Sequence, residues 1–526
     1  MKKATIISSL IIFLTGMPLL AAKCIREIKI TRLNVFDREL ENKNNFIFSL
    51  ANKIHVVTRD NVIRREMLMR SGDEFTQAEL DESVRNIRNL SFIGEAEAEI
   101  TEVGADSVDI EIITEDLWTT VAGLSSEGGG GLYSFTIYAD EKNIAGMGMG
   151  IETEARFSSD DNDGFSIIAY DPRFFGTRNR LTLYFSDLEF QDSRYVSLSK
   201  PFYSTDTRYT YSFVYDNESI ITRLFSRGYE VYRYKNDYVG FSFGAGRAFG
   251  RYTRFEPYIN YVYAKNDYSL NYGYDDIGIV PEDETFSGPG IGFRLMTHRY
   301  VTAQYLDEFG TIEDLKEHAT LQTSIAWSGN TFDATRNSAL ASIEIGFFKQ
   351  TSEHLYAGFK NTYSSYYDGN MNRDRIFNTM RGVVYVKPTE YHILAVRAIA
   401  QYAWRQNRTY QLTLGGDNGL RGYPDRYLNG TRRFLSNVEY RYFTPIKVLT
   451  VGLGGAVFFD AGNIWGRNEN IDIADIKTDA GIGLRFGLTK SSTARIIRVD
   501  LARALSEDNW YIAFGTENLF SLDRYF

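Results

Sequence analysis

The residues with the clearest chemical potential surround a single arginine in a glycine-rich turn. Residues 415–434 read GGDNGLRGYPDRYLNGTRRF, with Arg421 followed by Gly422 and Tyr423. On both sides of this turn apolar and polar residues alternate, as they do in β-strands. A guanidinium in such a turn is ordinarily solvated, so a specific role for Arg421 requires an acidic partner elsewhere in the chain.

The sequence offers such a partner in residues 455–462, GAVFFDAG. Strand alternation puts Val457 and Phe459 on one face and Phe458 and Asp460 on the other. If the first face meets lipid, Asp460 points into a barrel, where its carboxylate can hold the loop guanidinium. A bidentate, partly buried pair of this kind is stronger than an ion pair on a surface.

LRGY and four motifs that follow it in a fixed order extend this pattern over about a hundred residues. LRGY is followed by RFLSNVEYRY, then by VFFDAG, GIGLRFGL at 481–488 and RIIRVDLA at 495–502. This order resembles the outer-membrane insertase and translocase superfamily, which includes BamA, TamA, the two-partner secretion transporters and the bacterial surface antigens. The chain is identified as a BamA/TamA-type, single-POTRA member of that group.

The resemblance implies a loop latch inside the barrel. Its members are Arg421, Gly422, Tyr423 and Asp460. Glu439 and Arg485, which also point inward by alternation, are possible second partners. We expect the latch to brace the wall opposite the seam at which the first and last strands meet.

Composition independently favours a transmembrane barrel. Of 526 residues 15% are aromatic, with 36 Tyr and 36 Phe against 9 Pro. Such barrels place aromatic girdles at both membrane interfaces. The mean hydropathy of −0.29 and the lack of a long apolar run after the N-terminus argue against helical spans. A net charge of −10 argues against a nucleic-acid partner, since phosphates bind basic surfaces.

The barrel is predicted to occupy residues 116–526. Leu181, Leu183 and Phe185 illustrate its outward apolar positions. About 410 residues at some 25 per strand and connection give roughly 16 antiparallel strands, an even number like that of the family's barrel. The predicted fold is therefore mostly β, with a 16-stranded transmembrane barrel after one small α+β domain. Either Phe520 or Phe526 is expected to end the last strand.

The N-terminal region divides into two parts. Residues 1–22 have a basic start, an apolar centre and a small-residue end, which predicts a secretory signal peptide. Residues 23–115 predict the order β-α-α-β-β and resemble one POTRA domain, the periplasmic module of the superfamily. The free edge of its sheet is either a site for a client strand or is blunted by acidic residues. Cys24 is the only cysteine, so an internal disulfide is not possible.

The sequence gives little support for hydrolase, metal or nucleotide chemistry. Residues 240–244, GFSFG, have the spacing of a nucleophile elbow, but strand alternation continues through them. The five histidines show no metal-ligand spacing, and no phosphate-binding glycine loop is present. We therefore expect neither an enzyme nor a cofactor. Residues 306–318 are charged and non-alternating, which favours a solvated loop of no special function over an external lid helix.

The resemblance implies a protein in the bacterial outer membrane with its N-terminal domain in the periplasm. It would insert barrel proteins into that membrane or translocate polypeptide across it. Expected partners are the lipid bilayer and unfolded outer-membrane or secreted polypeptide clients, together with periplasmic or lipoprotein accessory factors. The alternative is a passive channel or structural barrel without insertase activity.

Overall fold

The computed structural model describes residues 23–36, 46–270, 280–416, 418–492, 496–507 and 509–521. The predicted signal peptide at 1–22 and Phe526 lie outside these residues. Among the described helices, none is long and apolar enough to span a membrane.

The N-terminal domain is a three-stranded sheet covered by helices. Its elements are β1 (Cys24–Leu33), α1 (Phe46–Ile54), α2 (Asp60–Glu66), α3 (Gln77–Arg88), β2 (Ile93–Val103) and β3 (Ser107–Asp116). β3 lies in the centre, parallel to β1 and antiparallel to β2. Apolar residues of α2 and α3, among them Ile63, Leu80 and Ile87, are buried against the sheet. The sequence predicted two helices here, and α1 is an additional one.

The rest of the described chain forms a closed antiparallel barrel of 20 strands, so the prediction of 16 was wrong. In chain order the first fifteen strands are β4 (Thr120–Gly129), β5 (Leu132–Glu141), β6 (Gly150–Ser158), β7 (Gly164–Asp171), β8 (Arg180–Leu188), β9 (Gln191–Lys200), β10 (Tyr209–Ser226), β11 (Tyr229–Arg247), β12 (Thr253–Leu270), β13 (Glu284–Ala303), β14 (Glu313–Ser328), β15 (Ser338–Ser352), β16 (Leu355–Asp368), β17 (Arg373–Thr389) and β18 (His392–Trp404). The short strands β19 (Leu412–Leu414) and β20 (Leu428–Gly430) pair with each other in the following loop. The last five barrel strands are β21 (Arg432–Val448), β22 (Val451–Trp465), β23 (Lys477–Leu488), β24 (Ile496–Ala504) and β25 (Trp510–Gly515).

The strand count was underestimated because strands and connections are shorter than assumed. The first six barrel strands have only 8 to 10 residues each. Several hairpins are joined by two residues, for example Arg227 and Gly228 between β10 and β11. Two-residue connections suit antiparallel neighbours, because a tight turn matches the twist of the paired strands.

Side chains of the barrel strands alternate between the two surfaces of the wall. In β22, Val457 and Phe459 are exposed on the outer surface, whereas Phe458 and Asp460 are buried inside. The same contrast holds in β23, where Ile482 and Leu484 are exposed. The alternation predicted from the sequence is therefore confirmed, and it gives the barrel an apolar outer surface suited to lipid.

The N-terminal domain packs across the barrel end at which β4 begins, here called the near rim. Arg88 of α3 donates two hydrogen bonds to Asp314 of β14, at 2.6 and 2.7 Å. Glu82 accepts hydrogen bonds from the backbone N–H and hydroxyl of Thr205, both at 2.8 Å. Further contacts join Glu66 to Arg173, Arg85 to the ring of Tyr300, and Glu115 to Lys490. These contacts involve turns or strands on several sides of the barrel, so the domain covers the near rim.

A buried carboxyl group lies where this domain joins the barrel. Asp116 accepts hydrogen bonds from the backbone N–H and the hydroxyl of Thr58, at 2.7 and 2.9 Å. Asn143 of the β5–β6 turn donates to the same hydroxyl, at 2.7 Å. Burial raises the pKa of Asp116 from 3.8 to about 6, while burial lowers the pKa of the neighbouring His55. Asp116 is thus ionised at neutral pH at a cost to the folded state.

This cost predicts a pH-dependent stability. Because the pKa of Asp116 is higher in the folded state, its protonated form contributes stability that is fully present below the unfolded pKa of 3.8. That contribution is lost as the pH rises through the folded pKa of about 6. At pH 7.5 Asp116→Asn should therefore unfold at a higher urea concentration than the wild type. Its free energy of unfolding should be higher by about 3 kcal/mol at most, and the gain at pH 4 should be small. A fluorophore on Cys24 in the full chain in detergent reports the unfolding. The lowered pKa of His55 changes stability with pH in the opposite direction, but it does so in both proteins. The same difference in unfolding free energy between the two proteins at pH 4 and pH 7.5 would therefore contradict the prediction.

Candidate functional site

The loop between β18 and β21 folds back into the barrel. Its residues Leu414, Leu420 and Tyr423 are fully buried against Leu435 of β21 and Ile464 of β22. The β19–β20 hairpin forms the base of this loop, and Asn437 of β21 donates to the carbonyl of Gly419, at 2.7 Å. Apolar burial and backbone bonding together place the loop tip in the lumen.

Three carboxylates surround the guanidinium of Arg421. Its Nε and Nη2 donate to the two oxygens of Asp460, at 2.8 and 2.9 Å. Its Nη1 donates to Glu439 at 2.7 Å and to Asp500 at 2.9 Å. The ring of Phe458 stacks against the same group, 3.4 Å from Cζ to the ring centroid. All four charged side chains are fully buried, so water does not screen these bonds.

The predicted second partners differ in their roles. Glu439 binds Arg421 directly, whereas Arg485 donates to Asp500 at 2.5 Å and lies 3.7 Å from Glu439. Arg498 also donates to Asp500, at 2.9 Å. Arg485 therefore holds an acid that binds the loop arginine, and does not itself bind the loop.

Gly422 and Tyr423 fix the position of the loop tip. A Cβ on Gly422 would lie 2.5 Å from Cβ of Asp479, closer than any real contact, so only glycine fits. The hydroxyl of Tyr423 donates to the carbonyl of Thr478 at 3.1 Å and lies 2.8 Å from the hydroxyl of Ser506. The loop thus contacts β23 and the end of β24.

Arg441 extends the ion cluster towards the near rim. It donates to Glu439 and to Asp307, at 2.8 and 2.9 Å, and to the carbonyl of Phe520, at 2.8 Å. Asp307 belongs to the β13–β14 connection, whose Leu306 and Phe309 are also buried in the lumen. The expectation of a solvated loop at 306–318 was therefore wrong, as was the alternative of an external lid helix, since residues from Glu313 are strand and the preceding turn points inward.

The chain end also differs from the prediction. The last strand of the described residues, β25, ends at Gly515, and Phe520 lies beyond it, fully buried in the lumen. The guanidinium groups of Arg441 and Arg397 both contact its ring, with Cζ at 4.8 and 5.0 Å from the ring centroid. Phe520 thus belongs to the lumen and is not the end of a lipid-facing strand.

The seam between β25 and β4 is weakly joined. Among the described residues its register consists of the pair Phe514 and Gly128, whereas β10 and β11 are registered along nearly their whole length. The strands that hold the loop arginine, β21, β22 and β24, lie on one side of this seam and are separated from it by β25. The expectation that the latch braces the opposite wall was therefore wrong.

The loop also contacts the first hairpin at the seam. The backbone N–H of Asp425 donates to the carbonyl of Gly130, at 2.9 Å. Gly130 has a φ of 61°, and a Cβ on it would lie 2.1 Å from that same nitrogen. The run of glycines at 128–131 therefore includes a position where close backbone approach requires glycine.

Sequence reasoning missed Asp500, Arg498 and Arg441 as members of the cluster. All three belong to motifs already noted, and alternation from Glu439 to Arg441, two residues on, predicts that both point inward. Asp307 had no comparable signal, because its loop carries no strand alternation. Among the described residues no group of His, Cys, Asp or Glu could hold a metal, and residues 240–244 lie within β11 with no turn into a helix.

A closed barrel with an apolar exterior and a loop held in its lumen by buried charges defines a transmembrane β-barrel with an internal loop. The model of the Omp85 superfamily domain matches residues 143–509. The chain belongs to the Omp85 superfamily and is an outer-membrane β-barrel protein, so the resemblance seen in the motifs is confirmed.

The chain is also similar to several solved structures, at low sequence identity. BamA from Haemophilus ducreyi lacking POTRA domains 1–3 has 12% identity and a TM-score of 0.42, over 94% of this chain and 84% of that one. CdiB from Acinetobacter baumannii has 13% identity and a TM-score of 0.47, over 94% and 73%. CdiB from Escherichia coli has 11% identity and a TM-score of 0.47, over 94% and 76%. A comparison with curated protein sequences finds no match.

The ion cluster predicts strong coupling between Arg421 and Asp460. Arg421→Ala removes the guanidinium bound to Asp460, and Asp460→Ala removes two of the four hydrogen bonds of Arg421. Each single change therefore leaves buried charge incompletely compensated and should destabilise the folded barrel by about 3–5 kcal/mol. The double variant should cost little more than either single change, with a coupling energy of at least about 1 kcal/mol. Urea unfolding in detergent measures all four proteins. Full additivity would mean that the two residues act independently.

The fit of the loop tip predicts a second effect. Gly422→Ala should displace the loop, because the new methyl carbon would lie 2.5 Å from Cβ of Asp479 and 2.8 Å from the backbone nitrogen of Ala504. Gly455→Ala on β22 is the matched control, since its nearest neighbour is a carbonyl at 3.4 Å. Trypsin should cleave the loop after Arg426 in the first variant and spare the control. Equal resistance of both would refute the close fit.

Proposed function

We propose that this protein inserts barrel proteins into the outer membrane or translocates polypeptide across it. One observation carries the proposal, namely that the seam has a single registered pair among the described residues. A barrel wall cannot open within lipid where its backbone hydrogen bonds are complete, because each broken bond exposes an unsatisfied group. Opening is least costly at this seam, where the edges of β4 and β25 can pair with a client strand.

The loop latch supports this mechanism by holding the wall beside the seam. Arg421 draws together acids from β21, β22 and β24, while Asp425 of the same loop bonds to the hairpin of β4. One loop therefore contacts both sides of the seam. We propose that the latch keeps these strands aligned while the seam opens, and that no covalent bond is made or broken.

A passive channel is the weaker alternative. Among the described residues three segments enter the lumen, namely the latch loop, the connection that carries Asp307 and the segment after β25 that carries Phe520. The N-terminal domain covers the near rim as well. These obstructions disfavour free diffusion of solutes through the closed barrel.

The N-terminal domain bears on how many clients the protein serves. We propose that residues 23–115 are a single POTRA domain in the periplasm, which receives clients. The superfamily's general insertases are associated with several such domains. One domain favours a dedicated secretion partner or a small set of clients over a general role in assembly.

Deletion of the gene tests the function most broadly. The outer-membrane proteome or the secretome should lose a small set of proteins, and wild-type protein should restore them whereas Arg421→Ala should not. Unchanged proteomes together with reduced uptake of small solutes would favour the passive channel.

Locking the seam tests the mechanism. Continuing the Phe514–Gly128 register by one residue brings Gly515 opposite Glu127. A disulfide between cysteines at these two positions, in a Cys24→Ser background, should block client assembly until it is reduced. A disulfide between Ser219→Cys and Asp237→Cys, paired on β10 and β11, should leave assembly intact. Full activity with the seam disulfide verified by mass spectrometry would exclude lateral opening.

A further inference from the structure

The N-terminal domain carries a cluster of exposed apolar side chains around α1. Leu33, Leu50, Ile54 and Val56 are 46%, 45%, 63% and 55% exposed. Most other large apolar residues of the described domain are buried in its core, and Ile100 at 40% is the exception. Four neighbouring apolar groups of this kind are unfavourable in water, which suggests a surface that is covered in the assembled state.

This apolar cluster lies at the near rim of the barrel. His55, between Ile54 and Val56, packs against Trp118, with 6.1 Å between ring centroids. The backbone N–H of Trp118 donates to the carbonyl of Lys490, at 3.1 Å, and its carbonyl accepts from the hydroxyl of Ser492, at 2.8 Å. Trp118 is thus fixed to the turn between β23 and β24, next to the short strand β25.

The alternation of β4 indicates which side of the wall the cluster occupies. Leu124 is 63% exposed on the outer surface, while Ser125 lines a lumen cavity of about 790 Å³ together with Asp307. Trp118 is an even number of residues from Leu124, so it shares the outer side. The ring of His55, whose chain neighbours are Ile54 and Val56, therefore lies on the side of the rim where lipid surrounds the barrel.

The position of α1 is fixed by specific hydrogen bonds. Asn34 donates to the carbonyl of Asn52, at 3.0 Å, and its side-chain oxygen lies 3.0 Å from Nδ1 of His55. Thr58, shortly after the helix, is bonded to Asp116. These bonds tie the end of α1 to the residue after β1 and to the end of β3, just before the barrel begins, so the end of α1 is held at the rim.

We propose that α1 and the flanking residues Leu33 and Val56 insert into the headgroup region of the periplasmic leaflet, directly beside the seam. A bilayer fits this surface because the apolar cluster continues the lipid-facing exterior of the barrel, on which Ile446, Val448 and Leu449 are likewise exposed at the same rim. Exposed Lys53 at the end of α1 suits the phosphates of that interface. This inference rests on the barrel lying in a membrane and is independent of client insertion.

Spin-label depth measurements test the proposal on the full chain. Ile54→Cys, in a Cys24→Ser background, is labelled with a nitroxide after reconstitution into vesicles of phosphatidylethanolamine and phosphatidylglycerol. Ile100→Cys is the matched control, because β2 leads away from Gly94, which packs on Leu117 at the rim, and six residues span about 20 Å. Oxygen partitions into lipid, whereas a nickel chelate stays in water.

The proposal predicts an oxygen-to-nickel accessibility ratio several-fold higher at position 54 than at position 100. Leu50→Cys should give the same result and replaces Ile54→Cys if that variant does not fold. Equal ratios at 54 and 100 would overturn the proposal, since the cluster would then face water. Low accessibility to both reagents at position 54 would also overturn it, because a protein surface and not lipid would cover α1.

Discussion

The structure depends on one buried ion cluster, in which the guanidinium of Arg421 is bound by Asp460, Glu439 and Asp500. Taking any of these charges out of water alone would be costly, and only mutual pairing with good geometry offsets that cost. Because the three acids come from three strands and the cation from a loop, the cluster forms only when all four segments are in place. The ion cluster therefore both fixes the position of the loop and stabilises the loop in that position.

The cluster also connects parts of the lumen that are far apart in sequence. Glu439 binds Arg421 on one side and Arg441 on the other. Arg441 in turn binds the inward connection at Asp307 and the chain end at Phe520. The loop arginine is thus joined through a chain of charged groups to the segment that follows the last strand. This arrangement places the latch, the inner connection and the seam in one bonded network.

The sequence predicted those features that have local periodicity. Alternation identified the barrel class, its outward face and the inward positions of Asp460 and Glu439, and the motif order led to the superfamily. The strand count could not be read in this way, because two-residue turns and strands of 8 to 10 residues leave no regular spacing. The inward course of residues 304–312 and the burial of Phe520 depend on partners such as Arg441, which only the closed barrel brings near. The latch was misplaced relative to the seam because strand adjacency across the closure is not encoded locally.

Hydrogen exchange at residues 418–425 tests the central claim most directly. Arg421→Lys keeps the positive charge but cannot bind one carboxylate through two parallel N–H groups while also reaching two others. If the guanidinium network holds the loop in the lumen, wild-type amides in this segment should exchange as slowly as those of β22, and the variant should exchange them much faster with β22 unchanged. Equal protection in the two proteins, or rapid exchange already in the wild type, would contradict the account.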